Sequence, residues 1–388
     1  MENFIFTNPT KILFGRGYYE KVGSYVEKYS KKIMLHYEGN GEIIKKLGIY
    51  EKIVESLRKY GIEFIELGGV VPNPKLSLVY EGIKICKENK IGFILAVGGG
   101  SVIDSAKAIS LGTVYEGDVW DFFNGKAEPN KTLGVGVVLT IPGAGSEMSE
   151  SSIISNEELK LKSVCDSEYN FPKFSILNPE VCYTIPKHLM ACGVADIMSH
   201  LMERYFSKSK GTQLSDALLE STMRIVLKYG KKILENPNDY NNCEQIMWAA
   251  TIAHNGMISS GRIADWSSHR IEHEISALYN ITHGAGMAII FPAWLKYVKE
   301  ENIEILSKFA RNVFLLKEED DEKISNNGIE NLEKFFIDLG LKVKLEDFGV
   351  DDKNFELMVE KALCGNQFLG RFKQLSKLDI VNILKLAR

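Results

Sequence analysis

The chain has 388 residues, more than one hydrophobic core usually serves, so two domains are expected. Apolar content of 45% and charged content of 25% are ordinary for a soluble globular protein. A net charge of −4, a pI of about 6.1 and no long basic run argue against nucleic acid as a partner. The longest apolar runs, such as Ile91 to Val97, are far too short to span a bilayer. The opening Met-Glu-Asn-Phe-Ile-Phe lacks the basic start and apolar core of a signal peptide, so a cytoplasmic location is expected.

In chain order, Lys32 to Tyr37 reads as a strand, followed by the turn Gly39-Asn40-Gly41 and a helix over Glu42 to Tyr60. Ile62 to Leu67 is a second strand, Leu76 to Asn89 a helix, and Ile91 to Val97 a fully apolar strand. Gly98 to Gly100 break it before helical spacing resumes over Val102 to Leu111. Leu133 to Ile141 and Phe174 to Leu177 are further apolar strands. Unalternating apolar strands separated by helices indicate a parallel sheet covered on both faces. From about Pro186 the pattern is helical only, over 195–206, 215–229, 243–255, 267–278, 286–298, 303–316 and 329–339. The expected division is an α/β domain over 1–183 and an all-helical domain over 184–388.

Three strand ends are rich in small residues. Gly98-Gly99-Gly100-Ser101 follows a strand and opens a helix, where backbone N–H groups and the helix dipole favour a pyrophosphate. Ser101 is the expected N-cap, and Asp104 in the first turn suits the dipole. The G-x-G-x-x-G fingerprint is incomplete, because Ile103 and Ile44 stand where third glycines would be. Glu38, at the end of the first strand and next to Gly39, is placed to bind ribose hydroxyls and repel a 2′-phosphate, which favours NAD over NADP. The segment Leu139 to Glu147 ends a strand in small residues, and its Thr140 and Ser146 hydroxyls are candidate cofactor contacts.

Of seven histidines, His269, His273 and His283 fall within fifteen residues. Asp196 and His200, like His269 and His273, are spaced i and i+4, so each pair projects from one helix face. One carboxylate and three imidazoles hold a divalent metal with room for a substrate oxygen, and ligand type leaves Fe²⁺ and Zn²⁺ both open. His269 and His273 share a face, so either can be the ligand on spacing alone. His36, His188 and His254 have no partner spacing and read as structural or surface residues. The six cysteines are scattered without a C-x-x-C pair, which fits free thiols.

Together these segments resemble the iron-containing (group III) alcohol dehydrogenases, in their butanol dehydrogenase and aldehyde reductase branch. The resemblance runs nearly end to end. It includes Asn8 to Gly15, Pro72-Asn73-Pro74, Ala96 to Asp104, Gly145-Ser146-Glu147, Asn178-Pro179, Gly193-Val194-Ala195-Asp196, Met247 to Thr251, Asp265-Trp266 and the histidine series. It implies a Rossmann-like N-terminal domain and a helical C-terminal domain in a dehydroquinate synthase-like architecture. It further implies a homodimer that acts on a small alcohol or aldehyde with NAD or NADP and one divalent metal. By position, Asp196, His200, His269 and His283 match the family's metal ligands, and His273 matches a histidine implicated in proton transfer. Gly99, Gly100, Ser101, Thr140 and Ser146 match cofactor contacts. Two positions depart from the pattern. Tyr37-Glu38-Gly39-Asn40-Gly41 replaces the Tyr-Gly-Gly-Gly-Ser associated with NADPH, and Ala144 stands where Thr is usual.

Within the same superfamily, the rivals are a polyol (glycerol) dehydrogenase and a dehydroquinate synthase-like lyase. The lyase needs clustered cations for a phosphorylated acid, yet only Arg262 and Arg270 lie near the histidines. A non-catalytic metal-binding protein is a distant alternative, with no use for three glycine-rich strand ends.

Overall fold

Apolar strands with no polar alternation fold here as the interior of a parallel sheet. A computed structural model describes all 388 residues, which divide into Thr7–Ile185 and a second unit of Met1–Phe6 with Pro186–Arg388.

The first unit carries strands β1 (Lys11–Phe14), β2 (Lys32–Glu38), β3 (Glu63–Val70), β4 (Phe93–Gly98), β5 (Val135–Leu139), β6 (Ser151–Asn156), β7 (Leu161–Asp166) and β8 (Phe174–Leu177). Its helices are α1 (Val22–Val26), α2 (Glu42–Lys46), α3 (Ile49–Lys59), α4 (Leu76–Asn89), α5 (Gly100–Thr113) and α6 (Trp120–Phe123). Six strands form one parallel sheet in the order β1-β8-β5-β4-β2-β3. Every residue of β4 and β5 is buried, which explains their continuous apolar composition. After β2 the chain goes to β3 on one side and returns to β4 on the other, a topological switch point where open α/β sheets bind ligands at the strands' carboxyl ends.

Three details differ from the sequence expectation. The helix expected over Glu42 to Tyr60 is two helices, because Gly48 takes a left-handed conformation (φ +64°) between them. Short β1 escaped notice, since its four residues carry little periodicity. The antiparallel hairpin β6–β7 also escaped notice, because β6 reads Ser-Ser-Ile-Ile-Ser-Asn without polar–apolar alternation, and Lys160 (φ +51°), not glycine, turns the chain.

The second unit is built from α7 (Lys187–Tyr205), α8 (Gln213–Glu235), α9 (Tyr240–His254), α10 (Ser267–Tyr279), α11 (His283–Val298), α12 (Ile303–Val313), α13 (Asp321–Asp338), α14 (Phe355–Leu363) and α15 (Lys377–Leu386). It contains no β-strand. Helices α14 and α15 were not anticipated, although Ser376 and Asp379 form a capping box at the start of α15. The N-terminal residues join this unit rather than the α/β one, with the Glu2 N–H donating to the Gly261 carbonyl at 2.9 Å. Helices α7 and α11 lie so close that a Cβ at Gly284 would fall on the Cys192 carbonyl. Only glycine permits that approach. No helix is long and apolar enough to cross a membrane.

Candidate metal centre and nucleotide-binding turns

Asp196, His200 and Glu203 recur along one face of α7, and His269, Glu272 and His273 along one face of α10. His283 is the first residue of α11. Asp196, His200 and His269 are all buried, and their donor atoms converge within 4.8 Å of one another. His283 Nε2 lies 3.5 Å from Asp196 Oδ1. The His200 and His269 rings stand 5.0 Å apart between centroids, and His269 and His283 5.3 Å. His273 sits beside His283, at 5.5 Å between centroids, in a second cluster with Glu272. The two i, i+4 histidines of α10 thus face different neighbours.

Buried imidazoles held this close need a reason. His200 Nδ1 and His269 Nε2 are buried and have no hydrogen-bond partner within the protein. Burial first, and then the neighbouring His254 and His269, hold His200 well below its ordinary pKa. It is therefore neutral at pH 7, the form that binds a metal. Asp196, His200 and His269, with His283 Nε2 against Asp196, make a donor set that fits a divalent ion with bonds of about 2 Å.

The surrounding residues fix these rings. Glu203 accepts from His269 Nδ1 at 2.7 Å, from the His269 backbone N–H at 3.1 Å and from the Trp266 N–H at 2.6 Å. Its carboxylate therefore caps the N-terminus of α10, where Trp266 takes a left-handed conformation (φ +64°) and supplies no side-chain cap. Asp265 braces the same end, its Oδ2 accepting from the N–H groups of Arg371 and Phe372 at 2.7 and 2.6 Å. Glu272 pairs with His283 Nδ1 and with the Ser276 hydroxyl. A Cβ at Gly286 would collide with the Glu272 carboxylate, so that glycine makes its room.

Glu203, Glu272 and His254 were not singled out by sequence. Glu203 follows Asp196 by seven positions and His200 by three, and helical spacing was the available signal. His254, expected to be structural or on the surface, packs edge-on against His200 with centroids 4.4 Å apart. The nearby cations are engaged. Arg204 donates to the His200 carbonyl at 2.8 Å and to Ser259 Oγ at 2.7 Å, with its guanidinium over the Trp266 ring. Arg262 donates to the Arg204 carbonyl at 2.6 Å and pairs with Asp216.

In the α/β unit the expected cofactor residues gather at the carboxyl ends of adjacent strands. Tyr37 pairs with Val97 and Gly98 with Leu139, which sets Glu38, the turn from Gly98 to Ser101, and Thr140 side by side. The Thr140 N–H donates to the Gly98 carbonyl at 3.1 Å. Gly99 abuts Ile141, and a Cβ at Gly100 would lie 2.8 Å from the Ala144 methyl. Side chains at either position would push the turn away from the 141–144 segment. Gly39 is exposed with a positive φ of 47°. Burial raises the pKa of Glu38, which is half-buried.

One expectation at this turn is corrected. Gly99, not Ser101, is the N-cap of α5, and Ser101 is the helix's second residue. Asp104 and Ser146, expected to touch the cofactor, are also joined in an internal brace. Ser146 Oγ donates to Asp104 Oδ1 at 2.6 Å, and the Ile153 N–H donates to Asp104 Oδ2 at 3.2 Å. Buried Lys107 reaches Ser146 Oγ and the carbonyls of Ser146, Ser149 and Ser151 at 2.8–2.9 Å. Burial lowers its pKa to about 8, against the opposing pull of Asp104. His36 is likewise structural, held between the Leu67 carbonyl and Ser105 Oγ at 2.7 and 2.9 Å.

Comparison with known proteins gives this arrangement a family. Residues 9–179 match the model of the iron-containing alcohol dehydrogenases, and residues 190–388 that of the family's C-terminal domain. A probable NADH-dependent butanol dehydrogenase of Bacillus subtilis is 42% identical over 387 residues, 99% of either chain. An NADPH-dependent aldehyde reductase of Escherichia coli is 31% identical over 93% of each. The crystal structure of an NADH-dependent butanol dehydrogenase from Thermotoga maritima superposes with a TM-score of 0.96 at 41% identity, covering 100% of this chain and 99% of that one. The chain belongs to the iron-containing alcohol dehydrogenase family and is an NAD(P)-dependent, metal-containing alcohol dehydrogenase.

Proposed function

We propose that the chain transfers hydride reversibly between a nicotinamide dinucleotide, preferably NAD, and a small primary alcohol or its aldehyde, butanol-like in size. Asp196, His200, His269 and His283 hold one divalent ion, Fe²⁺ or Zn²⁺. The observation that carries this reading is the convergence of Asp196, His200 and His269, with His283 Nε2 3.5 Å from Asp196 and buried ring nitrogens of His200 and His269 that have no hydrogen-bond partner in the protein. When bound, the ion supplies a Lewis acid that polarises the substrate oxygen, and the nicotinamide supplies or accepts the hydride.

The remaining roles belong to the chain. Gly99, Gly100 and Ser101 present the backbone and positive end of α5 to the pyrophosphate. Thr140 lines the same edge, and Lys107, Asp104 and Ser146 keep the 146–151 segment in place. Glu38 and Gly39 receive the adenosine ribose, and the Glu38 carboxylate opposes a 2′-phosphate. His273 carries a proton between the substrate oxygen and solvent, a role that an imidazole suits near neutral pH. The engaged Arg204 and Arg262 leave little to bind a phosphorylated acid, which disfavours the lyase alternative. A homodimer is the expected assembly, checked by light scattering after gel filtration.

The reading is tested by following nicotinamide absorbance with butyraldehyde and butanol. NADH is consumed faster than NADPH if it holds. Absence of turnover across a panel of short alcohols and aldehydes with either cofactor overturns it.

A further inference from the structure

Two carboxylates on two different helices stand in the same relation to two of the candidate ligand rings. Glu203 of α7 takes the Nδ1 side of His269, and Glu272 of α10 takes the Nδ1 side of His283. Each arrangement leaves the ring's Nε2 pointing elsewhere. For His269 that nitrogen has no protein partner, and for His283 it faces Asp196 Oδ1 at 3.5 Å. Neither carboxylate is accidental in its placement. Glu203 is only 1% exposed and Glu272 fully buried. The chain spends a glycine, Gly286, where any side chain would strike the Glu272 carboxylate. A buried carboxylate is costly unless paired, so both are retained for what they hold.

We propose that Glu203 and Glu272 are paired positioning residues that fix His269 and His283 as Nδ1–H tautomers, so that both rings offer Nε2 to the metal. The physical basis is general. An imidazole whose Nδ1–H is bound by a carboxylate has its ring plane fixed, and its free nitrogen becomes a stronger donor. The pair also links the ligand helices. Glu203 reaches from α7, which bears Asp196 and His200, to the first turn of α10. Glu272 reaches from α10 to the first residue of α11. Three helices that supply ligands are thereby joined by the carboxylates that orient them.

The proposal rests on the ligand set under Proposed function, and the test separates the two. Co²⁺ is titrated into the metal-free full-length chain, and affinity is read from its visible absorption and by chelator competition. The metal-free melting temperature is recorded alongside. If the wild-type chain binds no Co²⁺, the ligand set itself fails. If it binds, Glu272→Gln is expected to weaken affinity about ten- to hundredfold. It should also alter the Co²⁺ spectrum while the metal-free melting temperature stays near that of the wild type. Glu272→Asp should recover part of the affinity. Glu203→Gln should act similarly, but Glu203 also caps α10, so Glu272 is the deciding position. Unchanged Co²⁺ affinity in Glu272→Gln overturns the proposal. So does a loss of affinity matched by an equal fall in metal-free stability, which would mark a purely structural carboxylate.

Discussion

The two units prepare for their ligands in opposite ways. At the carboxyl edge of the sheet, recognition is made from what is missing. Gly99 and Gly100 have no Cβ, so the turn lies against Ile141 and Ala144, and the backbone at the start of α5 is the surface proposed for the pyrophosphate. In the helical unit, recognition is made from side chains that burial would otherwise penalise: a carboxylate and three imidazoles brought together and oriented by further carboxylates. The first strategy tolerates changes of side chain around the turn but not at the glycines. The second depends on each named donor.

That contrast predicts a ranking of damage. The largest effect is expected at a metal ligand. His269→Ala should lose its metal and, with it, several kcal/mol of transition-state stabilisation, about a thousandfold or more in kcat/KM. His273→Ala, one helical turn away, should keep its metal and lose about a hundredfold in kcat. Metal analysis beside steady-state kinetics distinguishes the two, and full occupancy in His269→Ala would exchange their roles.

Next comes the brace behind the nucleotide turn. Lys107→Met leaves the Ser146, Ser149 and Ser151 carbonyls without their donor and Asp104 without its opposing charge, which should cost roughly 3–5 kcal/mol in denaturant unfolding of the α/β unit. A cost below about 1 kcal/mol would mean that the four bonds are not what holds the segment.

His36 sharpens the comparison through pH. Burial lowers its folded pKa to about 4, and both ring nitrogens are bonded in the neutral form. The unfolded chain keeps a value near 6.5, so between those values the unfolded state binds more protons. Stability is then fully present above about pH 6.5 and declines towards pH 4, by about 3 kcal/mol for this one group. The pH slope of unfolding should flatten in His36→Asn. An unaltered slope would assign the acid sensitivity to other groups.

The smallest effect concerns cofactor choice. Glu38→Ser removes one charge at the strand end without touching the turn, and should shift preference towards NADPH by about tenfold, near 1.4 kcal/mol. An unchanged ratio of NADH to NADPH efficiency would place the discrimination elsewhere.

The same contrast explains what the sequence disclosed. Fully buried β4 and β5 were legible because both faces are covered and no alternation intervenes. The ligand candidates were legible because histidine is scarce and its helical spacing regular. Glu203 and Glu272 were not, since they are two among 51 acidic residues, and their helical spacing from Asp196, His200 and His269 does not say which imidazoles their carboxylates reach. The brace joining Asp104, Ser146 and Lys107 was not legible for a related reason: position beside glycine-rich turns suggests a cofactor, and nothing in the spacing says that Lys107, on the next turn of α5, reaches Ser146 as well. Residue type and spacing identify which groups converge, whereas packing decides which of them face a ligand and which face each other.

The central claim is that this chain's chemistry depends on one metal held by α7, α10 and α11. The most direct test is to strip the metal with a chelator, confirm by elemental analysis that it is gone, and follow NADH consumption with butyraldehyde before and after Fe²⁺ or Zn²⁺ is returned. The account predicts about one ion per chain, loss of turnover on stripping and recovery on reconstitution. A stripped chain that turns over as fast as the original would contradict it.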